Sequence, residues 1–430
     1  MPDQYTSFLG GNHMKKILSV VLSLAMLLSL LAVPAMAEDT INIIWYNTED
    51  TYKNNVAANP DAFDPVWSVI PEFEAATGVK VNVIAVEWGD MINTAATRVG
   101  NGEPVDLVQA NDQSFPVYPA RKIVQPIAQY LDLSKDCFYD SVTNAFTFGG
   151  QAYAAGNDVS PLVMYYNVDM FEANGVDLPR DLYEAGEWTW ENFRRVANEL
   201  TTDTDNDGED DQFGFGYWDT DYVSFLASNG TSNLIYNADG TIATGYLTDA
   251  GIETMTFLQE CYTIDKCMWP NSGDDTFTSG WKNGKLAMSL EFAYAYLSQQ
   301  INGELPFEVD WVPMPKGPSG EGDVCLAGVT GWCIGITSEL PEAAAKFIEM
   351  SAQMKIESDN AVNVERYGED NVAMMNKLAA KAHFVPIGID QYWDNNYTVF
   401  TGLRSNEPVV NFLTNADEQI KAGYESTMSN

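Results

Sequence analysis

Apolar and polar positions alternate over residues 40–46, which predicts a first strand. Asp64-Pro65 then supplies an N-cap and a first-turn proline, so a helix is expected to begin there. Gly78 should end that helical stretch as a left-handed cap. The β-branched run 79–86 predicts a second strand, and Val105-Asp106-Leu107-Val108 a third, short and buried. Residues 159–166 read as another strand, ending in Tyr165-Tyr166-Asn167. Thr189 caps a helix that puts Phe193, Val196, Ala197 and Leu200 on one face, and residues 252–262 form a second amphipathic helix. Strands are expected again over 307–315 and 328–336, with helices from residue 351 onward. Strands alternating with helices indicate an α/β fold with a parallel sheet covered on both faces. No internal repeat or low-complexity linker interrupts the pattern.

The amino-terminal segment follows a different pattern. Met14-Lys15-Lys16 opens a charged region, residues 17–33 are almost wholly apolar, and Pro34 precedes Ala35-Met36-Ala37. That is the layout of a signal peptide, with cleavage expected before Glu38. An uncleaved membrane anchor is the competing reading, since the apolar run is only slightly short of a bilayer span. Residues 1–13 have no place in a leader, which points to Met14 as the start. No second apolar stretch approaches spanning length, so the exported remainder is expected to be soluble and is long enough for two α/β domains.

Composition narrows the function classes. The chain has 61 acidic and 22 basic residues, a net charge of −39. Such a surface repels nucleic acid and anionic lipid, and favours solubility and cation binding. His383 is the only histidine beyond the leader, which removes His-dependent triads and His-rich metal sites. Export permits disulfides, and of five cysteines Cys261–Cys267 and Cys325–Cys333 are close enough in sequence to pair. None has the spacing of a zinc site.

Five runs in fixed order carry a family resemblance: Phe73-Glu74-Ala75-Ala76-Thr77-Gly78-Val79-Lys80-Val81, Val105-Asp106-Leu107-Val108, Trp281-Lys282-Asn283-Gly284-Lys285-Leu286-Ala287-Met288, Val312-Pro313-Met314-Pro315-Lys316-Gly317-Pro318, and Pro341-Glu342-Ala343-Ala344-Ala345-Lys346-Phe347-Ile348. Together with the leader they resemble extracellular solute-binding protein family 1, the sugar-binding components of ABC importers. The resemblance implies a two-lobed, periplasmic-binding-protein-like type II fold hinged by two or three crossing segments. Residues 38–157 and 312–350 are expected to form the first lobe, and 158–311 with 351–430 the second. Many members of the family carry a cysteine directly after the cleavage site for lipid attachment. Here that position is Glu38, so no lipobox is expected, and the protein would be periplasmic or otherwise held at the cell envelope.

In open α/β sheets ligands sit beyond the carboxyl ends of the strands. The first strand exits into Trp45-Tyr46-Asn47-Thr48-Glu49-Asp50, the second into Glu87-Trp88, and the third into Gln109-Ala110-Asn111-Asp112-Gln113. Trp45, Glu49, Trp88 and Asp112 are the candidates there, and Asp158 precedes the crossing strand. The resemblance adds Tyr294, at the position where an aromatic stacks on sugar, and Trp332, at a strand start near the cleft. Trp218, Asp219, Tyr222 and Trp393 are second-lobe candidates placed on loose spacing. Flat aromatics cover the apolar face of a pyranose while carboxylates and amides meet its hydroxyls, so this set suits a carbohydrate. Most Trp and Tyr in any domain are nevertheless core or surface residues.

Asp203-Thr204-Asp205-Asn206-Asp207-Gly208-Glu209-Asp210-Asp211 places oxygens at positions one, three, five and nine of a calcium loop, with glycine at six. Asp203, Asp205, Asp207, Glu209 and Asp211 are the candidate Ca²⁺ ligands. The twelfth position is Gly214 where a bidentate Glu is expected, and a solvated acidic turn is the alternative. No other cofactor is expected.

Three function classes remain. A non-enzymatic receptor would close on a sugar, expected to be a neutral oligosaccharide because few Lys or Arg fall in the cleft segments. It would then dock, as a monomer, on the permease subunits of an ABC importer. A cationic solute such as a polyamine is an alternative ligand. A secreted glycoside hydrolase would use two carboxylates, but no pair is singled out. A calcium-dependent scaffold is disfavoured by the long α/β pattern.

Overall fold

The structure is a computed structural model that describes residues 39–60, 62–237, 240–270 and 276–429. The expected leader, residues 1–37, lies outside the described residues. Strands Thr40–Trp45, Lys80–Ala85 and Leu107–Ala110 form a parallel set with Thr40–Trp45 in the centre, in register Thr40↔Lys80 and Ile43↔Leu107. Strand Ala327–Gly335 then runs antiparallel beside Leu107–Ala110, and strand Ala154–Asn167 beside Ala327–Gly335.

The 14-residue strand Ala154–Asn167 belongs to both lobes. Its first half pairs with Ala327–Gly335 (Val159↔Val329), and its second half pairs with Leu286–Phe292 (Met164↔Leu290) and Val309–Val312 (Tyr165↔Trp311). Strand Phe213–Gly216 adds in parallel to Leu286–Phe292. Alternation along the shared strand decides which core each side chain joins. Leu162, Met164 and Tyr166 enter one second-lobe cluster with Phe193, Phe215 and Tyr222, while Val163 and Tyr165 enter another with Trp281 and Trp311. The first lobe has its own two clusters, one around Ile41, Ile43, Phe73 and Phe347, the other around Ile44, Val108, Tyr118 and Phe146. Two sheets with separate cores, joined by a shared strand, make a two-lobed α/β fold.

The chain also passes between the lobes from Val309–Val312 to Ala327–Gly335, and other segments bridge them. Helix Pro341–Tyr367 buries Ala344, Phe347 and Ile348 in a first-lobe core, yet its last residue, Tyr367, stacks on Tyr294 of the second lobe at 4.2 Å. Residues 383–388 run beside the start of strand Ala327–Gly335. The His383 carbonyl accepts from Ala327 N–H, the Asp112 carbonyl accepts from Ile387 N–H, and Tyr236 donates to the Pro386 carbonyl.

Local expectations hold with shifts. Gly78 has φ 73° and accordingly ends helix Ile70–Thr77. Asp64 does not start that helix. Its Oδ1 caps a turn through the Val66 and Trp67 amides, and regular helix begins only at Ile70. Thr189 caps helix Trp190–Glu199 through the Asn192 amide, with Phe193, Val196 and Ala197 buried.

The five cysteines are buried free thiols. Cys325 lies in a second-lobe core and Cys333 in a first-lobe core, so that expected pair is not formed. The Cys261 and Cys267 sulfurs lie within 4.8 Å of each other. No helix among the described residues is long and apolar enough to cross a membrane.

Candidate ligand cleft

On the first-lobe side, the first strand is covered on both faces, with Ile41, Ile43 and Trp45 on one and Ile44 on the other. Trp45 is accordingly only 1% exposed and its Nε1 donates to Asp64 Oδ2. It is therefore a core residue, not a ligand contact as the sequence suggested. Its ring packs 5.2 Å from that of Trp332 and so backs it. The outward residue is Tyr46, 43% exposed, with its ring 4.9 Å from Trp88 in an edge-on pair; Trp88 itself is 42% exposed. Burial, then the charges of Asp64 and Asp158, raise the Tyr46 phenol pKa, which places Tyr46 near Asp158.

Trp332, Gln109, Asp158 and Lys355 line a cavity of about 340 Å³ between the first-lobe sheet and helix Pro341–Tyr367. A second cavity of about 250 Å³ shares Asp158 and Lys355 and adds Tyr294. Asp158 accepts from Thr330 Oγ1 at 2.7 Å and lies 3.8 Å from Lys355 Nζ, which is also 2.6 Å from Asp359. Burial disfavours the Lys355 ammonium, but the two carboxylates outweigh it and hold its pKa above the usual value. One ammonium here serves two carboxylates.

Tyr294 lines that second cavity, but Tyr367 lies parallel on its ring at an interplanar angle of 7°. One face is therefore already taken, and burial pushes its phenol up to about 12. Glu49 opens helix Glu49–Ala58 and is held 2.7 Å from Lys53 on the exposed surface, one turn along the same helix. It lines none of these cavities.

On the second-lobe side a cavity of about 230 Å³ lies between Asp112 and Gly328 of the first lobe and Trp218, Thr220, Asp221, Phe292, Tyr392 and Trp393 of the second. Trp218 and Trp393 are 52% and 59% exposed, with Trp218 held edge-on by Phe277 at 5.0 Å. Gly328 lets the Phe292 ring approach closely, since a Cβ there would meet that ring at 3.3 Å. Tyr222 is not a lining residue. Helix Tyr222–Ser228 is buried along its length, and the Tyr222 hydroxyl bonds Tyr246 and Asn396 inside the core. Asp219 is absent from the lining; partial burial raises its carboxyl pKa while Arg404 opposes the rise.

Between these two expected residues sits one that was missed. Asp221 lines the cavity, and its Oδ2 is buried with no hydrogen-bond partner among the described residues. Burial pushes its carboxyl up to about 7. Burial also raises Asp112, against the opposing Gln113 amide. Lys355 is the only Lys or Arg among the described residues lining the three cavities.

In the acidic loop, Asp203, Asp205 and Asp207 bring carboxylate oxygens within 4.8 Å of one another. Asp203 also organises the turn, accepting from the Asn206, Asp207 and Gly208 amides. Glu209 and Asp211 lie outside that trio, and Asp211 is turned to Thr204, which donates from both its amide and its hydroxyl. The donor chemistry of the trio fits a hard cation.

Residues 57–355 match the model of the bacterial extracellular solute-binding protein family. This chain belongs to that family. Among curated relatives, a putative binding protein of Brucella abortus is 25% identical over 258 residues, covering 58% of this chain and 59% of its own length. The match thus spans somewhat less than two thirds of that relative. An uncharacterized lipoprotein of Streptomyces antibioticus is 25% identical over 77% of this chain and 71% of its own. Among solved structures, the cyclic alpha-maltosyl-1,6-maltose binding protein of Arthrobacter globiformis superposes with TM-score 0.71 at 14% identity, over 91% of this chain and 100% of that one. That likeness bears on the two-lobed fold.

Proposed function

We propose that this family member is an exported receptor that captures an oligosaccharide between its lobes and hands it to the permease of an ABC importer. The observation that carries the reading is the lining of the inter-lobe groove, where the half-exposed rings of Trp218 and Trp393 share one cavity with Asp112 and Asp221. Rings of this kind cover the apolar face of a sugar, each contributing on the order of a kcal/mol at ~25 cal/mol per Å². The oligosaccharide named for the Arthrobacter globiformis protein of the same fold supports the class of ligand. The lobes that close would be those expected from the sequence, 38–157 with 312–350 and 158–311 with 351–430, except that Val312, Met314 and Cys325 pack into second-lobe cores and Ala352 into a first-lobe core. Helix Pro341–Tyr367 runs past the boundary at 350 as a strut between them.

The reading includes no chemistry on the sugar and a monomeric state. Calorimetry against a panel of oligosaccharides should give one-to-one binding with a change in tryptophan fluorescence, and chromatography should return the sugar intact. Release of reducing ends would replace the receptor with a hydrolase. Export rests on the leader, and attachment to a membrane lipid is not part of the proposal because Glu38 stands where the lipidated cysteine would be.

A structural Ca²⁺ on Asp203, Asp205 and Asp207 is also proposed, because three carboxylates this close repel one another without a cation. Adding Ca²⁺ to EGTA-treated protein should raise Tm by a few degrees. An unchanged Tm would leave the segment a solvated turn.

A further inference from the structure

We propose that the cavity between Asp112 and Asp221 receives an ammonium group, so that the ligand is an oligosaccharide bearing a free amine rather than the uncharged sugar expected from the sequence. The inference rests on the saccharide reading above and specifies its chemistry. Three other partly buried carboxylates of the second lobe are met by cations: Asp310 by Arg180, Asp265 by Arg194, Asp417 by Lys421. Asp221 has no such partner. Its Oδ1 receives a 3.3 Å bond from the Thr220 hydroxyl, while its Oδ2 is buried and unpaired.

The charged groups acting on Asp221 are Glu291 and Asp219, both negative. Asp112, from the opposite lobe, is met only by backbone amides. Asp112, Asp221 and Tyr392 line the same cavity, and both carboxylates raise the Tyr392 phenol pKa. A sugar hydroxyl donates one hydrogen bond and leaves both charges in place. An ammonium supplies three donors and a compensating charge. The surrounding rings of Trp218, Trp393 and Phe292 add to the preference, because an aromatic face attracts a cation. The burial that lifts the Asp221 carboxyl toward neutrality is the same unmet demand seen as a titration.

The test is calorimetry at pH 7 with three trisaccharides of one linkage: glucose units, glucosamine units, and N-acetylglucosamine units. The glucosamine form should bind at least tenfold tighter than the other two, and Asp221→Asn and Asp112→Asn should each bring that ratio toward one. Asp221→Asn keeps the side-chain shape, and circular dichroism with a melting curve checks that the variant is folded. A neutral trisaccharide binding as tightly as the amine overturns the inference and leaves the saccharide reading standing. A preference that survives both substitutions overturns it as well. If no sugar binds, or spermidine alone does, the saccharide reading falls and this inference with it.

Discussion

The two ends of the cleft solve the same problem differently. At the first-lobe end every charge has its answer inside the protein: Asp158 is held by Thr330 and Lys355, and Lys355 also by Asp359. Of the aromatics there, Trp332 is packed against Trp45 and Tyr294 is covered by Tyr367, while Tyr46 and Trp88 are exposed but line neither of the two cavities. At the second-lobe end Trp218 and Trp393 stand half in solvent and Asp221 Oδ2 has no hydrogen-bond partner among the described residues. A finished surface offers shape and little else. An unfinished one offers binding energy, because a partner arriving there removes a cost the empty protein carries.

The largest test of this contrast is affinity. Replacing Trp218 and Trp393 together by Ala should weaken ligand binding on the order of 100-fold, since two exposed rings lose their contacts. Tyr294→Ala should weaken it less than threefold by the same calorimetry. Equal losses would erase the distinction between the two ends. Lys355→Met comes next, because it strips the cation from Asp158 and Asp359. It should cost about 1–3 kcal/mol in urea unfolding with little change in affinity.

The smallest effect is the most specific. The Asp221 carboxyl binds its proton more tightly folded than unfolded, so its contribution to stability is full below pH ~4 and is lost as pH rises toward 7. Asp221→Asn should therefore stabilise the ligand-free protein by on the order of 1–2 kcal/mol at pH 8 and leave it unchanged at pH 4. A loss of stability at pH 8 would mean that the carboxylate has a partner in solution.

What could be read from sequence follows from the range of the physics involved. The α/β alternation, the Gly78 cap and the Thr189 cap are local, and they appear where expected. Asp112 and Trp218 line the cavities because residues at strand exits collect at one edge of a sheet, whereas Asp158 lies within the shared strand and Trp393 in a helix. Trp45 was misassigned because the first strand is buried on both faces to its last residue, and exposure begins only at Tyr46. Tyr222 was misassigned because a seven-residue helix buries all its faces, which no periodicity signals. Asp221 stands between two expected residues, yet its distinction is a missing partner. That property arises only when Glu291, Phe292 and Tyr392, distant in sequence, are folded around it. The cover on Tyr294 likewise comes from Tyr367, 73 positions along the chain by residue number.

Strand Ala327–Gly335 fills the gap between Leu107–Ala110 and the long strand Ala154–Asn167, and it is made some two hundred residues after the first of them. Until it emerges, the amino-terminal half can build the three parallel strands but has nothing to close them against. Pairings this distant in sequence are slow to form. A chain that must be threaded across a membrane before folding gains from such an arrangement, because its first sheet is completed only when four fifths of the polypeptide is through.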